Sequence, residues 1–338
     1  MAKKQVFVSG VILIVLLIGG IGYAVAQRQA QPAKRPVATT MAQVAIFDRL
    51  GVPLAAVPTS QEPLPARYAQ LPKVGNHVSV NFEQILRVHP SVVYVDAALT
   101  ADYATKLKAS QIKMTALDFT NYQQLTRNIL QLGMTYHQVA AAQKLLKSLK
   151  LPPKTLKKPV KVLILVGMPG GGFLVANAHS YLGDLVKRAG GEVVGGDVNQ
   201  PLTTPNPQAI SQENPAVVIR LAHAMPTQVK QSFDQIFQQA PYAHLKATQS
   251  GQIYDVSAPD FGMTANLQVV TAYRDIQQWL AVAHETMGDA YLVSEYCVSC
   301  GDNVRCPVRT AMAELGYFLA IALAPRAVCF NRWRNASS

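Results

Sequence analysis

Apolar positions along this chain repeat at two spacings. Met41, Val44, Phe47 and Leu50 recur every three residues, the spacing of one helix face; Gly51 stops that helix, and 54–57 is a short apolar run of strand length. The pairing returns downstream. Helical spacing over 82–88 ends at Pro90, and 92–95 forms a compact apolar strand. Farther on, 160–166, 217–221 and 253–256 read as buried strands, 180–189 as a helix closed by Gly190, and 266–284 as a final helix. Strands alternating with helices predict parallel pairing and an α/β architecture.

Between the two blocks lies a different element. Thr120 and Gln123 have capping-box spacing, and Leu125, Ile129, Leu132, Tyr136, Val139, Leu146 and Leu149 follow at steps of three or four with one gap. This predicts a single helix over 120–151 that tolerates Gly133 and ends at Pro152-Pro153. The expected layout is therefore two Rossmann-like α/β lobes, 37–119 and 152–286, joined by one long helix and enclosing a cleft.

The N-terminus sets the compartment. Lys3 and Lys4 precede an uncharged apolar run over 6–26, long enough at ~1.5 Å per residue to span a ~30 Å hydrocarbon core. Ala24-Val25-Ala26 also has the form of a signal-peptidase site, so 1–27 reads as a membrane anchor or a cleaved signal. Either way the body is expected on the extracytoplasmic side, because Lys3 and Lys4 stay inside. A polar, basic linker covers 28–36.

Composition narrows the partners. The 338 residues carry a net charge of +12, which suits an anionic surface or ligand; aromatic residues are only 7% and do not interleave with basic runs, which argues against nucleic acid. All four cysteines lie at or beyond Cys297, so the main body contains no disulfide or thiolate site. The tail, 287–338, holds Cys297, Cys300, Cys306 and Cys329 and an apolar stretch over 311–330. It reads as foreign to the body, with an accessory anchor or a zinc knuckle as the other readings.

No HExxH, GxSxG or paired-carboxylate pattern marks a hydrolase. The glycine-rich 167–172 follows a strand where a phosphate loop would sit. It lacks the Lys-Ser/Thr ending, having Phe173-Leu174 there, so it reads as a tight turn between two strands. Two histidines stand out. His77 lies in the polar loop 73–79, and His223 lies directly beyond a strand, three residues after Arg220. Carboxyl ends of strands line ligand crevices in open sheets; there a neutral imidazole is suited to ligate iron and an Arg to meet a carboxylate.

The stretches Val37-Ala38-Thr39-Thr40, Leu71-Pro72-Lys73-Val74-Gly75, Arg220-Leu221-Ala222-His223-Ala224-Met225-Pro226 and Phe261-Gly262-Met263-Thr264-Ala265-Asn266-Leu267 resemble the haem-receptor binding proteins of Gram-positive iron-regulated surface systems. Those belong to the cluster of substrate-binding proteins that serves siderophore, cobalamin and haem ABC importers. The resemblance runs from about residue 37 to 280 and implies two α/β lobes joined by one long helix.

What the resemblance implies for the site is specific. His223 corresponds to the family's axial His. The family's second ligand, a Met, aligns with Val78, so the neighbouring His77 becomes the substitute; the competing options are a five-coordinate haem on His223 alone with Val78 packing on the macrocycle, and ligation by Met41. Propionates lie at helix N-termini in the family, which points to Thr39, Thr40, His179 and Ser180. Arg220 and Met263 complete the expected pocket. Glu83 matches one of two acidic residues that dock on the permease, whereas Gln208 replaces the other and Glu213 is offset. No lipobox cysteine precedes Cys297.

The expected function is that of a monomeric, membrane-tethered receptor, not an enzyme. It takes haem, free or from upstream surface haem-binding proteins, and delivers it to an ABC permease. A receptor for another iron chelate or a corrinoid, and an extracytoplasmic haem-dependent redox or haem-degrading enzyme, are the alternatives.

Overall fold

The computed structural model describes residues 35–76, 79–154, 156, 158–197 and 199–298, with side chains as far as 286. The expected anchor, most of the linker, the tail beyond 298, and His77 and Val78 lie outside the described residues. Among the described residues no helix is long and apolar enough to cross a membrane.

The first lobe runs β1 (Val37–Ala38), α1 (Met41–Leu50), α2 (Phe82–Arg87), β2 (Val93–Asp96), α3 (Thr100–Ala109) and β3 (Met114–Leu117). Its strands pair in the order β1-β2-β3, all parallel. The apolar run at 54–57 forms no full strand, but Ala56 bridges Val37 and Val57 bridges Lys73, both in parallel, so the sheet extends past β1. Local chemistry fixes the helix ends as the sequence suggested. Thr40 and Gln43 make a reciprocal capping box on α1, and Gly51 closes it at φ 73°, a left-handed conformation that costs glycine little.

The second lobe contains β4 (Val160–Gly167), β5 (Phe173–Ala176), α6 (Tyr181–Ala189), β6 (Gly191–Val194), β7 (Leu202–Thr203), α7 (Pro207–Glu213), β8 (Val217–Ala222), α8 (Pro226–Phe237), α9 (Lys246–Gln249), β9 (Ile253–Ser257) and α10 (Val269–Val298). The near-continuous Val/Leu/Ile run of β4 is buried on both faces, as a central strand requires. It pairs with β8 along one edge and with β6 and then β5 along the other, β8 carrying β9 beyond it.

The sheet is not wholly parallel. β5 runs antiparallel to β4 through a hairpin in which Gly170 and Gly171 take φ 97° and 95°, and β7 is antiparallel to β5. The glycine-rich segment 167–172 is thus a turn between two strands. A phosphate loop would have to enter a helix.

The single interlobe helix does not form. The chain makes α4 (Tyr122–Thr135), turns over 136–138 with His137 at φ 55°, and continues as α5 (Val139–Ser148). The Tyr122 hydroxyl, at the start of α4, donates to the Leu149 carbonyl just past α5 at 3.0 Å, so the two helices run antiparallel as a hairpin. Gly133 is the reason. A Cβ there would collide with the Cβ of Ala142, so the missing side chain lets α5 fold directly onto α4. The sequence periodicity held across the break because both helices turn one apolar face into the shared core. The cap is also one residue later than expected: Asn121 accepts from the Gln124 amide at 2.9 Å.

Three cores result. A central one crosses both lobes, from Phe47 and Leu50 of α1 through Phe119, Leu125 and Leu145 to Ile164, Leu185 and Leu280. Two smaller ones lie on the opposite sheet faces, under α2 and α3 in the first lobe and under α7 and α8 in the second.

Gly133→Ala is expected to destabilise the protein by about 1–3 kcal/mol, because the added methyl forces the packed helices apart. Gly51→Ala, with open space around it, should cost about 1 kcal/mol or less through backbone strain alone. Urea unfolding of the two variants checks the order.

Candidate functional site

The two lobes meet at the exits of β3 and β9. The Ala265 amide donates to the Phe119 carbonyl at 2.7 Å, and Phe119, Phe261 and Ala265 are buried in the shared core. The carboxyl edges of both sheets therefore turn toward one junction, the position where open α/β sheets hold ligands. Residues just beyond β1, β2, β4 and β8 stand at its rim.

On the first lobe, Thr39 is buried and committed to the fold. Its hydroxyl donates to the Tyr94 carbonyl at 2.9 Å and its amide to Gln43 Oε1 at 2.8 Å. Thr40 caps α1, and Met41, the first helical residue, is half-buried. No acidic residue occupies the first turn of α1, so its N-terminal dipole is uncompensated by the protein's own charge.

The loop expected to carry the second iron ligand springs from Gly75, at φ 83°, and returns at Val80. Its stem is closed by the Asn76 amide to the Ser79 carbonyl at 3.0 Å and the Ser79 amide to Asn76 Oδ1 at 2.9 Å. A side chain at Gly75 would run into the Ser79 carbonyl, so glycine is required for so tight a stem. His77 and Val78 themselves lie outside the described residues.

On the second lobe, His223 follows the last residue of β8 and is exposed. Ala222 registers with Gly167, so β8 and β4 end at the same level, β8 leading into His223 and β4 into the Met168 turn. Met168 and Met225 are both well exposed, at 41% and 51%, unusual for so apolar a side chain. Met225 also holds a left-handed backbone, φ 50°, immediately before Pro226 begins α8. Sequence reasoning passed over Met168. The signal was there, since Met-Pro follows both of these central strands, at 168–169 and 225–226. Met263 is half-buried against the shared core near the junction.

The other propionate candidates are distributed unequally. Ser180 caps α6, accepting from the Gly183 amide at 3.1 Å, and the exposed His179 is tied by its amide to Asn177 Oδ1 at 2.8 Å. Asp184 already occupies the first turn of α6, where it accepts from the Tyr122 amide at 3.0 Å and Arg188 at 2.9 Å. An anion at this helix would meet a carboxylate; at α1 it would not.

Arg220 departs from the expectation that it meets a ligand carboxylate. It is 5% exposed and faces α8, on the side of β8 away from the shared core. Its guanidinium binds Asp255 through two hydrogen bonds of 2.7 and 2.6 Å and Asp234 at 2.8 Å, and lies over the rings of Phe233 and Phe237. Its fork is filled by protein carboxylates, which leaves it bracing β8 against β9 and α8. Beside it opens a hollow of about 270 Å³ lined by Ala222, Pro226, Thr227, Lys230 and Ser257.

Lys230 and, with it, Arg220 hold the Asp234 carboxyl below its ordinary value. Asp96, at the end of β2, behaves oppositely. Burial pushes its carboxyl up, against one hydrogen bond from the Ala98 amide at 3.0 Å. Sequence reading did not single out Asp96, since nothing local marks an acid as buried.

Glu83 is exposed on the first turn of α2, and Gln208 is exposed on the first turn of α7. Both helices begin with an Asn cap, so the lobes present equivalent helix starts with one acid between them. Glu213 is paired with Lys161 at 2.8 Å. Among the described residues no three His, Cys, Asp or Glu side chains cluster to hold a metal ion.

The family model described as periplasmic binding protein matches residues 37–259. The chain is 34% identical over 241 residues to the high-affinity heme uptake system protein IsdE of Staphylococcus aureus strain Newman, covering 69% of this chain and 82% of that one. Among solved structures, an ABC transporter substrate-binding protein from Listeria monocytogenes EGD-e superposes with a TM-score of 0.66 at 32% identity, covering 73% of this chain and 98% of the other. S. aureus IsdE complexed with heme gives a TM-score of 0.66 at 32% identity, over 74% and 99%.

Arg220→Ala is expected to destabilise the fold by about 2–3 kcal/mol, less than for a fully buried pair because both carboxylate partners keep contact with water. Asp234 contributes stability above its unfolded value near 3.8 that is lost as the pH falls through its lower folded value. Thermal melts should therefore show Asp234→Asn costing stability at pH 6 and converging on wild type as the pH falls through that lowered value.

Proposed function

The chain belongs to the periplasmic binding protein family, and on that premise we propose that it is a haem receptor that binds its cargo between the lobes and passes it to an ABC permease. Support comes first from the similarity to a heme uptake protein over most of the chain. The observation that carries the reading is His223, an exposed imidazole just past the carboxyl end of β8, in a stretch that also exposes Met225. An imidazole supplies the iron bond, and apolar side chains suit the face of a macrocycle.

In this reading His223 is the iron ligand from the second lobe, and the first lobe supplies the other. His77, on the loop held by Gly75, is the first choice and Met41 the second, and they differ in consequence. Two imidazoles give a lower iron potential than His with Met. The α1 N-terminus, free of acidic residues in its first turn, is the better place for a propionate, with Thr39 and Thr40 fixing the backbone that presents it. Binding and release are the whole activity, with no catalytic group required. Glu83 serves as the acidic docking point of the first lobe. The receptor works at the extracytoplasmic face, tethered through its N-terminus or released after cleavage.

Haem titration of the purified full chain should give a sharp Soret band. His223→Ala should weaken the affinity about 100-fold or more, the scale of an axial bond worth roughly 3 kcal/mol. Unchanged affinity removes His223 from the iron. No Soret shift in wild type, with tight binding of a cobalamin or ferric siderophore instead, replaces haem by another cargo. Magnetic circular dichroism then assigns the second ligand: a low-spin bis-imidazole spectrum should be lost in His77→Ala, a His/Met spectrum lost only in Met41→Ala moves the role to Met41, and a five-coordinate spectrum unchanged in both variants leaves His223 alone on the iron.

A further inference from the structure

Two thirds of the chain's net charge of +12 comes from one stretch. From Phe119 to Gly183 the sequence has eight Lys or Arg and not one Asp or Glu. The structure exposes the described lysines of this stretch as far as Lys158, whereas Lys161 in β4 pairs with Glu213. On α5, Ala142 and Leu145 face the core while Lys144 and Lys147 face solvent. Lys150, Lys154 and Lys158 follow, all exposed, along the segment that crosses from the helical hairpin to β4.

That segment lies against the second lobe. Gln277 of α10 donates to the Pro153 carbonyl at 2.8 Å, and a Cβ on Gly190 would touch the Leu156 Cβ at 3.3 Å. Gly190 closes α6, whose last turn carries the exposed Lys187. The lysines thus form a cationic ridge running from one lobe to the other. Asp184, the nearest acid on α6, is spent on Arg188 and the Tyr122 amide.

This ridge belongs to the layer packed on the shared core. The helices carrying Glu83 and Gln208 pack on the opposite faces of the two sheets, so the ridge is not part of the docking surface read from them. Nor does it include any residue assigned to the cleft.

We propose that the ridge is a contact surface for an anionic phospholipid bilayer. Lysines on flexible stems, strung along one segment with no acid between them in the sequence, bind a diffuse negative surface rather than a shaped anion. The bilayer is within reach by the sequence itself. If the apolar run over 6–26 spans the membrane, the linker 28–36 places Pro36 no more than about 30 Å from it. The surface attraction then sets which side of the tethered body faces lipid, independently of what the cleft binds.

The test uses the full chain reconstituted into vesicles of phosphatidylcholine alone or with 30 mol% phosphatidylglycerol, followed by acetylation footprinting with mass spectrometry. Lys147, Lys150, Lys154 and Lys158 should react at least about fivefold more slowly on the anionic vesicles. Lys106 on α3 and Lys230 on α8, on the opposite layer, should be unchanged. High salt should abolish the protection. In K150E/K154E/K158E, protection of Lys147 and Lys187 should be lost while the thermal melt and the haem titration stay as in wild type.

Equal reactivity on both vesicle types overturns the proposal, as does protection that survives in the triple variant. Equal protection by soluble heparin without vesicles also overturns it, by making the ridge a polyanion site. The haem titration on the same samples separates these outcomes from any failure of the cleft assignment.

Discussion

The Ala265 amide bonded to the Phe119 carbonyl, with Phe119 and Phe261 buried beside it, ties the exit of the last first-lobe strand to the exit of the last second-lobe strand. Everything proposed for the cleft depends on this junction. Because parallel strands place all their carboxyl ends on one edge, fixing one exit in each lobe brings the remaining exits to the same place. Thr39 and Asp96 follow or end strands of the first lobe, and His223 follows β8 of the second. A loss of packing at Phe119 would separate residues that share no direct contact.

The helical hairpin alters how the lobes are joined. A continuous helix would act as a strut between them. Instead α5 packs on α1 of the first lobe, α4 touches α6 of the second through Tyr122 and Asp184, and the extended segment after Leu149 carries the chain across. That segment is held by contacts to α6 and α10 of the second lobe, so the connection is rigid through packing rather than through helical stiffness. It is also the stretch that carries the lysine ridge. A single helix would have wound the side chains of residues 147–158 around its axis.

Arg220 and His223 show how three residues can separate structural from functional roles. Strand alternation turns Arg220 toward α8, where Asp234, Asp255 and two phenyl rings enclose it. The strand then ends, and His223 is free of that alternation. An arginine locked by carboxylates on two other elements holds the end of β8 in place, and the position of the imidazole depends on that end.

Much of this architecture is legible in the sequence, because local chemistry decides it. Thr40 with Gln43, Ser180, Gly51 and Gly190 set helix ends through hydrogen bonds and backbone freedom that act within a few residues. The Val-rich run of β4 announces a central strand, and the quoted motifs announced the family. The helix break at 136–138 was not legible, because Gly133 serves a contact with Ala142 nine residues away and periodicity alone is blind to such a contact. The burial of Asp96 and the commitment of Arg220 were equally hidden. Each follows from a partner distant in sequence, and only the folded chain determines which distant groups meet. The sequence by itself therefore determined the element types, their caps and the excess of positive charge. Tertiary packing decided which side of the molecule each charge faces and which polar side chains remain available to a ligand.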